Sequence, residues 1–139
     1  MSVYPVPGAF RLPDLCWGAA GALALWLGFP NNFLNLPPLV LLWPAALAAL
    51  GLRASGYMSA LRRGWLVSWA GSAGALYWLA LPVHEVGGLP MPLAIPCALF
   101  IAACLASAGG LFSLAARSLH AFPAFLSAIV LALIWYLLE

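Results

Sequence analysis

The feature that most constrains this chain is a segment, residues 15–52, that contains no charged side chain. One membrane span takes about 20 apolar residues, so the segment is too long for a single ordinary span. It is interrupted by Pro30-Asn31-Asn32 and by Pro37-Pro38, and such residues favour turns over continued helix. The segment therefore predicts two apolar helices, 15–29 and 36–52.

The rest of the composition agrees with a lipid environment. The chain is 66% hydrophobic and 6% charged, whereas soluble domains average about 25% charged residues. Too few polar side chains remain to cover a soluble core, so we expect an integral membrane protein. The net charge of +2, without a basic cluster interleaved with aromatics, argues against nucleic acid as a partner.

Three further apolar runs, 64–81, 93–116 and 122–138, complete the pattern. We predict an all-α, polytopic membrane protein with about five transmembrane helices in one bundle. Its domains would be a cytoplasmic amino-terminal segment, 1–14, and a transmembrane domain, 15–139.

The first run has an alternative interpretation. It is short for a span and follows Arg11, so it could be the core of a signal peptide. No small-residue cleavage pattern follows it. A retained first helix is therefore the favoured hypothesis.

Small residues recur at helical spacing on two of the predicted spans, which favours close helix contact. They are Gly64, Ser68, Gly71, Ser72 and Ala75 on the third run, and Ala102, Ala106, Gly110 and Ser113 on the fourth. Between the second and third runs, residues 53–63 are expected to form a polar connector. Pro44 predicts a kink in the second helix.

The arginines predict an orientation. With five spans and a cytoplasmic amino terminus, all of them lie on the cytoplasmic side, in agreement with the positive-inside rule: Arg11, Arg53, Arg62, Arg63 and Arg117. Residues 82–92 and Glu139 would then lie on the outer, periplasmic side.

The stretch 77–92 carries the candidate functional residues on that side. The candidates near lipid or substrate are Tyr77, Trp78, His84, Glu85, Gly87, Gly88 and Glu139. His84 and Glu85 would point apart on a helix but could converge on one ligand in a loop, where a His/Glu pair can do acid–base chemistry. The ordinary alternative is a solvated polar loop.

The residues alone define no active site in this chain. Cys16, Cys97 and Cys104 lie in apolar runs without a neighbouring base or cation, which a nucleophilic thiolate would need. No Gly-x-Ser-x-Gly elbow, phosphate-binding loop or metal-ligand spacing occurs. We expect no catalytic residue, metal or cofactor.

The order of several weak motifs is more specific than any one of them. They are Leu27-Gly28-Phe29-Pro30, Leu42-Trp43-Pro44-Ala45-Ala46-Leu47, Gly64-Trp65, Gly74-Ala75-Leu76-Tyr77-Trp78, Gly87-Gly88-Leu89-Pro90-Met91-Pro92, and the final Leu133-Ile134-Trp135-Tyr136-Leu137-Leu138-Glu139. In this order, over residues 15–139, the chain resembles the amino-terminal membrane portion of the apolipoprotein N-acyltransferases of the bacterial inner membrane.

The resemblance implies a function for a larger protein. Members of that family have eight transmembrane helices and a periplasmic nitrilase-like domain with a Glu-Lys-Cys triad. The triad cysteine takes a fatty acyl group from phospholipid and passes it to the amino-terminal diacylglyceryl-cysteine of a lipoprotein. Membrane phospholipid and, once a catalytic domain is supplied, a lipoprotein would therefore be the partners.

The sequence departs from the family in one decisive respect. The chain has no lysine, and no nitrilase-like segment follows the fifth run, so the triad cannot be assembled from these residues. We expect a form truncated before the catalytic domain and inactive alone, in which none of the three cysteines is the nucleophile.

Two other functions remain possible from the sequence. One is a small non-enzymatic membrane protein that acts as a binding or scaffold subunit through its small-residue faces. The other is a transporter or channel subunit. It is less favoured, because the spans carry no charged residue that would mark a substrate or ion path.

Overall fold

A computed structural model describes residues 12–29 and 36–138 of the chain. Within these two segments the chain forms helices joined by short turns and no strand. The α-helices are α1 (Leu12–Gly28), α2 (Leu42–Arg53), α3 (Tyr57–Ala75), α4 (Ala80–Glu85), α5 (Met91–Ser118) and α6 (Ala124–Leu138), and 3₁₀ turns cover Pro37–Leu41 and Tyr77–Leu79. The predicted all-α class is confirmed.

The predicted number of membrane spans is not confirmed. In the described part of the chain, α5 alone is long and apolar enough to cross a bilayer as one helix. Helix α3 and the segment Tyr77–Glu85 pass the same test together, but they are bent by 58°. At ~1.5 Å per residue, the 17 residues of α1 and the 15 of α6 reach only about 26 and 22 Å, less than the ~30 Å of a hydrocarbon core. The five-span bundle therefore stays a prediction.

The third predicted run, 64–81, is divided differently in the structure. Helix α3 begins seven residues earlier, at Tyr57, and ends at Ala75, and Leu76 leaves helical geometry with φ −104° and ψ 13°. Pro82, in α4, has no N–H to donate and its ring would clash with the carbonyl of Trp78 in a continuous helix. The chain therefore breaks before the proline and resumes as α4.

The early start of α3 also corrects the predicted connector 53–63. Residues 54–56 alone are non-helical there, so Arg62 and Arg63 lie in the second turn of α3. Gly56 is extended (φ −168°, ψ 172°), and the residues after it contain no proline, so helix begins directly.

The prolines before and in α2 act at helix starts. Pro37 and Pro38 open the 3₁₀ turn, a position where the missing N–H would have no helical partner. Pro44 is the third residue of α2, and it also belongs to the first turn, where N–H groups lack intrahelical acceptors. The expected kink in the middle of the second helix is therefore replaced by a 3₁₀-to-α transition at its start.

Helix α3 crosses α5 at a tight contact that is built from small side chains, as predicted, whereas the larger buried side chains of the core include Leu47, Leu50 and Phe112. A Cβ atom at Gly64 would lie 2.6 Å from the Gly109 carbonyl oxygen, and one at Gly109 would lie 2.7 Å from the Ser68 Cβ. Both glycines are buried. Backbones this close leave no room for a larger residue, so the contact depends on glycine at both positions.

Two side-chain hydrogen bonds connect α2 to this crossing. The Ser113 hydroxyl donates to the Leu47 carbonyl oxygen at 3.0 Å, and the Trp43 Nε1–H donates to the Ser68 hydroxyl at 3.3 Å. Leu47 is fully buried. Serine thus serves both the close packing and the polar links between helices.

Helix α6 is held along one edge. Its Trp135 meets Trp43 and Phe112 edge-to-face, with ring centroids 4.9 and 5.1 Å apart. The Ser127 hydroxyl donates to the Leu119 carbonyl oxygen at 3.0 Å. Most of the remaining surface of α6 is exposed.

Candidate functional site

The structure places His84 and Glu85 in the last turn of α4. Both side chains are exposed. Because adjacent helical residues diverge, the two side chains do not form the converging pair that a loop would have allowed. Instead, the His84 Nδ1 atom lies 2.6 Å from the carbonyl oxygen of Leu89, so His84 closes the turn that joins α4 to α5.

That turn depends on its two glycines. Gly88 has φ +67°, a left-handed conformation that is unfavourable for residues with a Cβ. At Gly87 a Cβ would lie 2.5 Å from the Val83 carbonyl oxygen. The chain can therefore reverse within a few residues and start α5 at Met91.

Tyr77 and Trp78 lie at the break between α3 and α4, and they are 49% and 47% exposed. A groove of about 270 Å³ runs beside this break, between it and α5. It is lined by Ala73, Leu76, Tyr77, Ala80, Ile95, Ala98 and Leu99. The candidates at 77–88 thus share one end of the bundle, whereas Glu139 lies outside the described residues.

The opposite end holds a charged cluster that the sequence interpretation missed. Asp14 of α1 is buried, and its Oδ2 accepts a hydrogen bond from Arg63 Nη1 at 2.8 Å. Its Oδ1 lies 3.4 Å from Arg53 Nε, at the end of α2. Arg63 is buried as well, but the Arg53 side chain is 49% exposed. One signal was available: a single carboxylate in an apolar sequence needs a partner if it is buried.

Arg117 extends this end of the molecule. From the last turn of α5, its Nη1 lies 3.5 Å from the Leu52 carbonyl oxygen of α2. Arginines from α2 and α3 therefore contact one carboxylate of α1, and Arg117 of α5 lies against the end of α2 at the same end of the bundle. Helix α5 has 28 residues, so at ~1.5 Å per residue it is ~42 Å long. Its first residue, Met91, and the His84 turn therefore lie about that far from the arginines.

The cysteines occupy helices without a common site. Cys16 and Cys104 are exposed and Cys97 is partly exposed, and each is a free thiol. In the two described segments, no group of three or more His, Cys, Asp or Glu side chains could hold a metal ion. Among the described residues, the His84 end contains a closed turn and an apolar groove. No nucleophile with a neighbouring base is seen there.

The described residues thus form an apolar, all-helical bundle with its arginines at one end and a tight turn at the other. The sequence model described as the amino-terminal domain of apolipoprotein N-acyltransferase matches residues 21–139. The chain belongs to the apolipoprotein N-acyltransferase family.

Two curated relatives support this assignment. One, from Bordetella bronchiseptica, is named an apolipoprotein N-acyltransferase, and one from Bordetella parapertussis carries the same name provisionally. Each is 37% identical over 110 residues, which cover 78% of this chain and 20% of the relative. The chain thus spans about a fifth of the length of these relatives. No solved structure gives a significant match.

Proposed function

We propose that these residues form the membrane portion of an enzyme that transfers a fatty acyl group from phospholipid to the amino-terminal diacylglyceryl-cysteine of lipoproteins. The chain has no lysine, so a Glu-Lys-Cys triad must be supplied by a segment beyond it. By itself the chain would bind lipid and present a docking face, without catalysing the transfer.

The observation that carries the placement is the separation of charge along the bundle. Arg53 and Arg63 contact Asp14 at one end, where Arg117 also lies against Leu52, and the turn after His84 lies at the other end. Basic residues are retained on the cytoplasmic side of bacterial membrane proteins. The proposal therefore sets the arginine end in the cytoplasm of the inner membrane and residues 82–92, with Glu139, in the periplasm.

In this placement, the periplasmic end has the parts that a lipid-handling rim needs. Tyr77 and Trp78 are half exposed at the proposed depth of interfacial aromatics, and Tyr77 lines the groove beside α5. The His84–Leu89 contact and the two glycines hold the turn close to the bundle. A catalytic domain above this rim would receive the phospholipid from the membrane side.

A chimera tests the proposal. The 139 residues would be joined to the part of the Bordetella bronchiseptica relative that follows its matched region. The chimera would then be expressed in bacteria depleted of their own lipoprotein N-acylation. We expect growth to be restored and the lipoprotein amino-terminal peptide to gain a third acyl chain, measured by mass spectrometry.

The matched control joins the same catalytic part to an unrelated helical anchor. If the unrelated anchor restores N-acylation equally well, the membrane portion has no specific role and the proposal is overturned. The 139 residues expressed alone should give no N-acylation. Acylation by the chain alone would contradict the part of the proposal that concerns the triad.

The scaffold alternative is weakened by the packing. It relied on the small-residue faces of the third and fourth runs as contact surfaces for a partner. In the structure, Gly71 faces Leu25 of α1, and Gly110 faces Leu61 and Trp65 of α3. These faces are occupied within the chain itself.

A further inference from the structure

A second groove lies on the outer side of the α3–α5 crossing, near the arginine end. Its volume is about 520 Å³, which falls within the ~300–1,000 Å³ of typical small-molecule sites. It is lined by Leu61, Arg62, Trp65, Leu66, Ser107 and Leu111. The lining is therefore an apolar wall with one guanidinium and one hydroxyl.

The Trp65 part of the wall is held in place, and its indole N–H is already bonded to the protein. Trp65 Nε1–H donates to the Ala103 carbonyl oxygen at 3.1 Å, and the Trp65 ring stacks on Trp69 with centroids 5.8 Å apart and planes 9° apart. The next indole, Trp69, donates to the Leu99 carbonyl oxygen at 3.2 Å. Trp65 thus presents a fixed apolar surface to the groove, which suits a hydrocarbon chain.

Arg62 differs from its neighbour Arg63. Arg63 is committed to Asp14, whereas Arg62 is exposed, lines the groove, and has no carboxylate partner among the described residues. An arginine fork is well suited to phosphate oxygens. Basic pockets between helices on the cytoplasmic side of membrane proteins bind anionic lipid headgroups.

We infer that this groove binds one anionic phospholipid of the cytoplasmic leaflet, with its phosphate at Arg62 and an acyl chain along Trp65, Leu66 and Leu111. The inference rests on the proposed cytoplasmic placement of the arginine end. It concerns the leaflet opposite to the proposed acyl transfer, so the occupant would be a structural lipid rather than an acyl donor.

Native mass spectrometry of the 139-residue chain in mild detergent tests this site. Phosphatidylglycerol and phosphatidylcholine with identical acyl chains would be added in equal amounts, and retained lipid counted. We expect a preference for phosphatidylglycerol, and Arg62→Gln should reduce its retention about fivefold and that of phosphatidylcholine by less, because the choline cation offsets the phosphate charge. Arg117→Gln, which changes the net charge equally but lies outside the groove lining, should keep the preference.

A third variant addresses the apolar wall. Ser107→Trp should fill the groove and lower the retention of both lipids. If that variant fails to fold, Arg62→Gln and Arg117→Gln still decide the matter.

Three results of the two-lipid comparison would overturn the inference. They are equal retention of the two lipids by the unmodified chain, equal losses in Arg62→Gln and Arg117→Gln, and a change of oligomeric state in Arg62→Gln without a change in lipid. Displacement of phosphatidylglycerol by millimolar inorganic phosphate would show a simple anion site and would also contradict it. The chimera assay tests the proposed function, and the lipid comparison tests this groove. Either one can give the expected result while the other does not.

Discussion

The Asp14 carboxylate lies 2.8 Å from the Arg63 guanidinium, although the two residues are 49 positions apart in the sequence. Both side chains are buried, and Arg53 approaches the same carboxylate from the end of α2. Three helices are thereby joined at one point by charge. Removing one partner of such a pair leaves the other charge buried and uncompensated, which costs about 3–5 kcal/mol.

Asp14→Asn should therefore lower the free energy of unfolding of the chain in detergent by several kcal/mol. Glu85→Gln, an exposed carboxylate at the other end, is the control and should change stability little. The double variant Asp14→Leu/Arg63→Met should recover most of the loss, because apolar replacement of a complete buried pair is often neutral. Equal stability of Asp14→Asn and Glu85→Gln would contradict this account of the cluster.

The α3–α5 crossing should fail when either backbone is pushed away. Gly109→Val would direct a side chain into Ser68, and such overpacking costs about 1–3 kcal/mol or more. A disulfide between two cysteines introduced on the facing sides of α3 and α5 should form less readily in this variant. Gly56→Ala is the control, since a Cβ there meets nothing within 4 Å; a comparable effect of both substitutions would argue against the tight crossing.

The turn after α4 should depend on backbone conformation at one position. Gly88→Ala forces an alanine to φ +67° and should cost about 1–2 kcal/mol. Gly88→Asn should cost less, because asparagine tolerates the left-handed region. Thermal unfolding in detergent measures both variants, and identical losses would indicate that φ at residue 88 is not what limits substitution.

Glu85 is expected to matter for the substrate rather than for the fold. In the chimera with a catalytic domain, Glu85→Ala should reduce N-acylation more than it reduces the amount of folded protein, because the side chain is exposed. Quantifying triacylated lipoprotein per unit of chimera in the membrane checks this. Loss of folded chimera with unchanged specific activity would be the opposite outcome.

The helices and their small-residue faces could be predicted because local spacing determines them. Gly64, Ser68 and Ser113 recur at helical intervals, so their common burial follows from periodicity. The pairing of Asp14 with Arg63 could not be predicted in the same way, since it arises only when α1 packs against α3. The sequence assigned the arginines to topology and gave Asp14 no partner.

Two local errors have physical causes of the same kind. The apolar pattern of residues 64–81 does not show the break at Leu76, because the interruption is set by Pro82, which lies beyond that run, and the same break places His84 in a helix. Pro44 was expected to bend a helix that in fact starts two residues before it. In both places the proline is the third residue of a helix, so it marks a helix start where a continuous helix was expected.

The proposed placement sets the two ends of the bundle on opposite sides of a bacterial inner membrane, and cysteine labelling tests it directly. Single-cysteine chains with the three native cysteines replaced by serine would carry either Val86→Cys, at a position that is 88% exposed, or Ser55→Cys, in the turn before α3. A membrane-impermeant maleimide should label Val86→Cys in cells with a permeabilised outer membrane, and Ser55→Cys only after lysis. Labelling of Ser55→Cys in intact cells with protection of Val86→Cys, or equal labelling of both, would contradict the account.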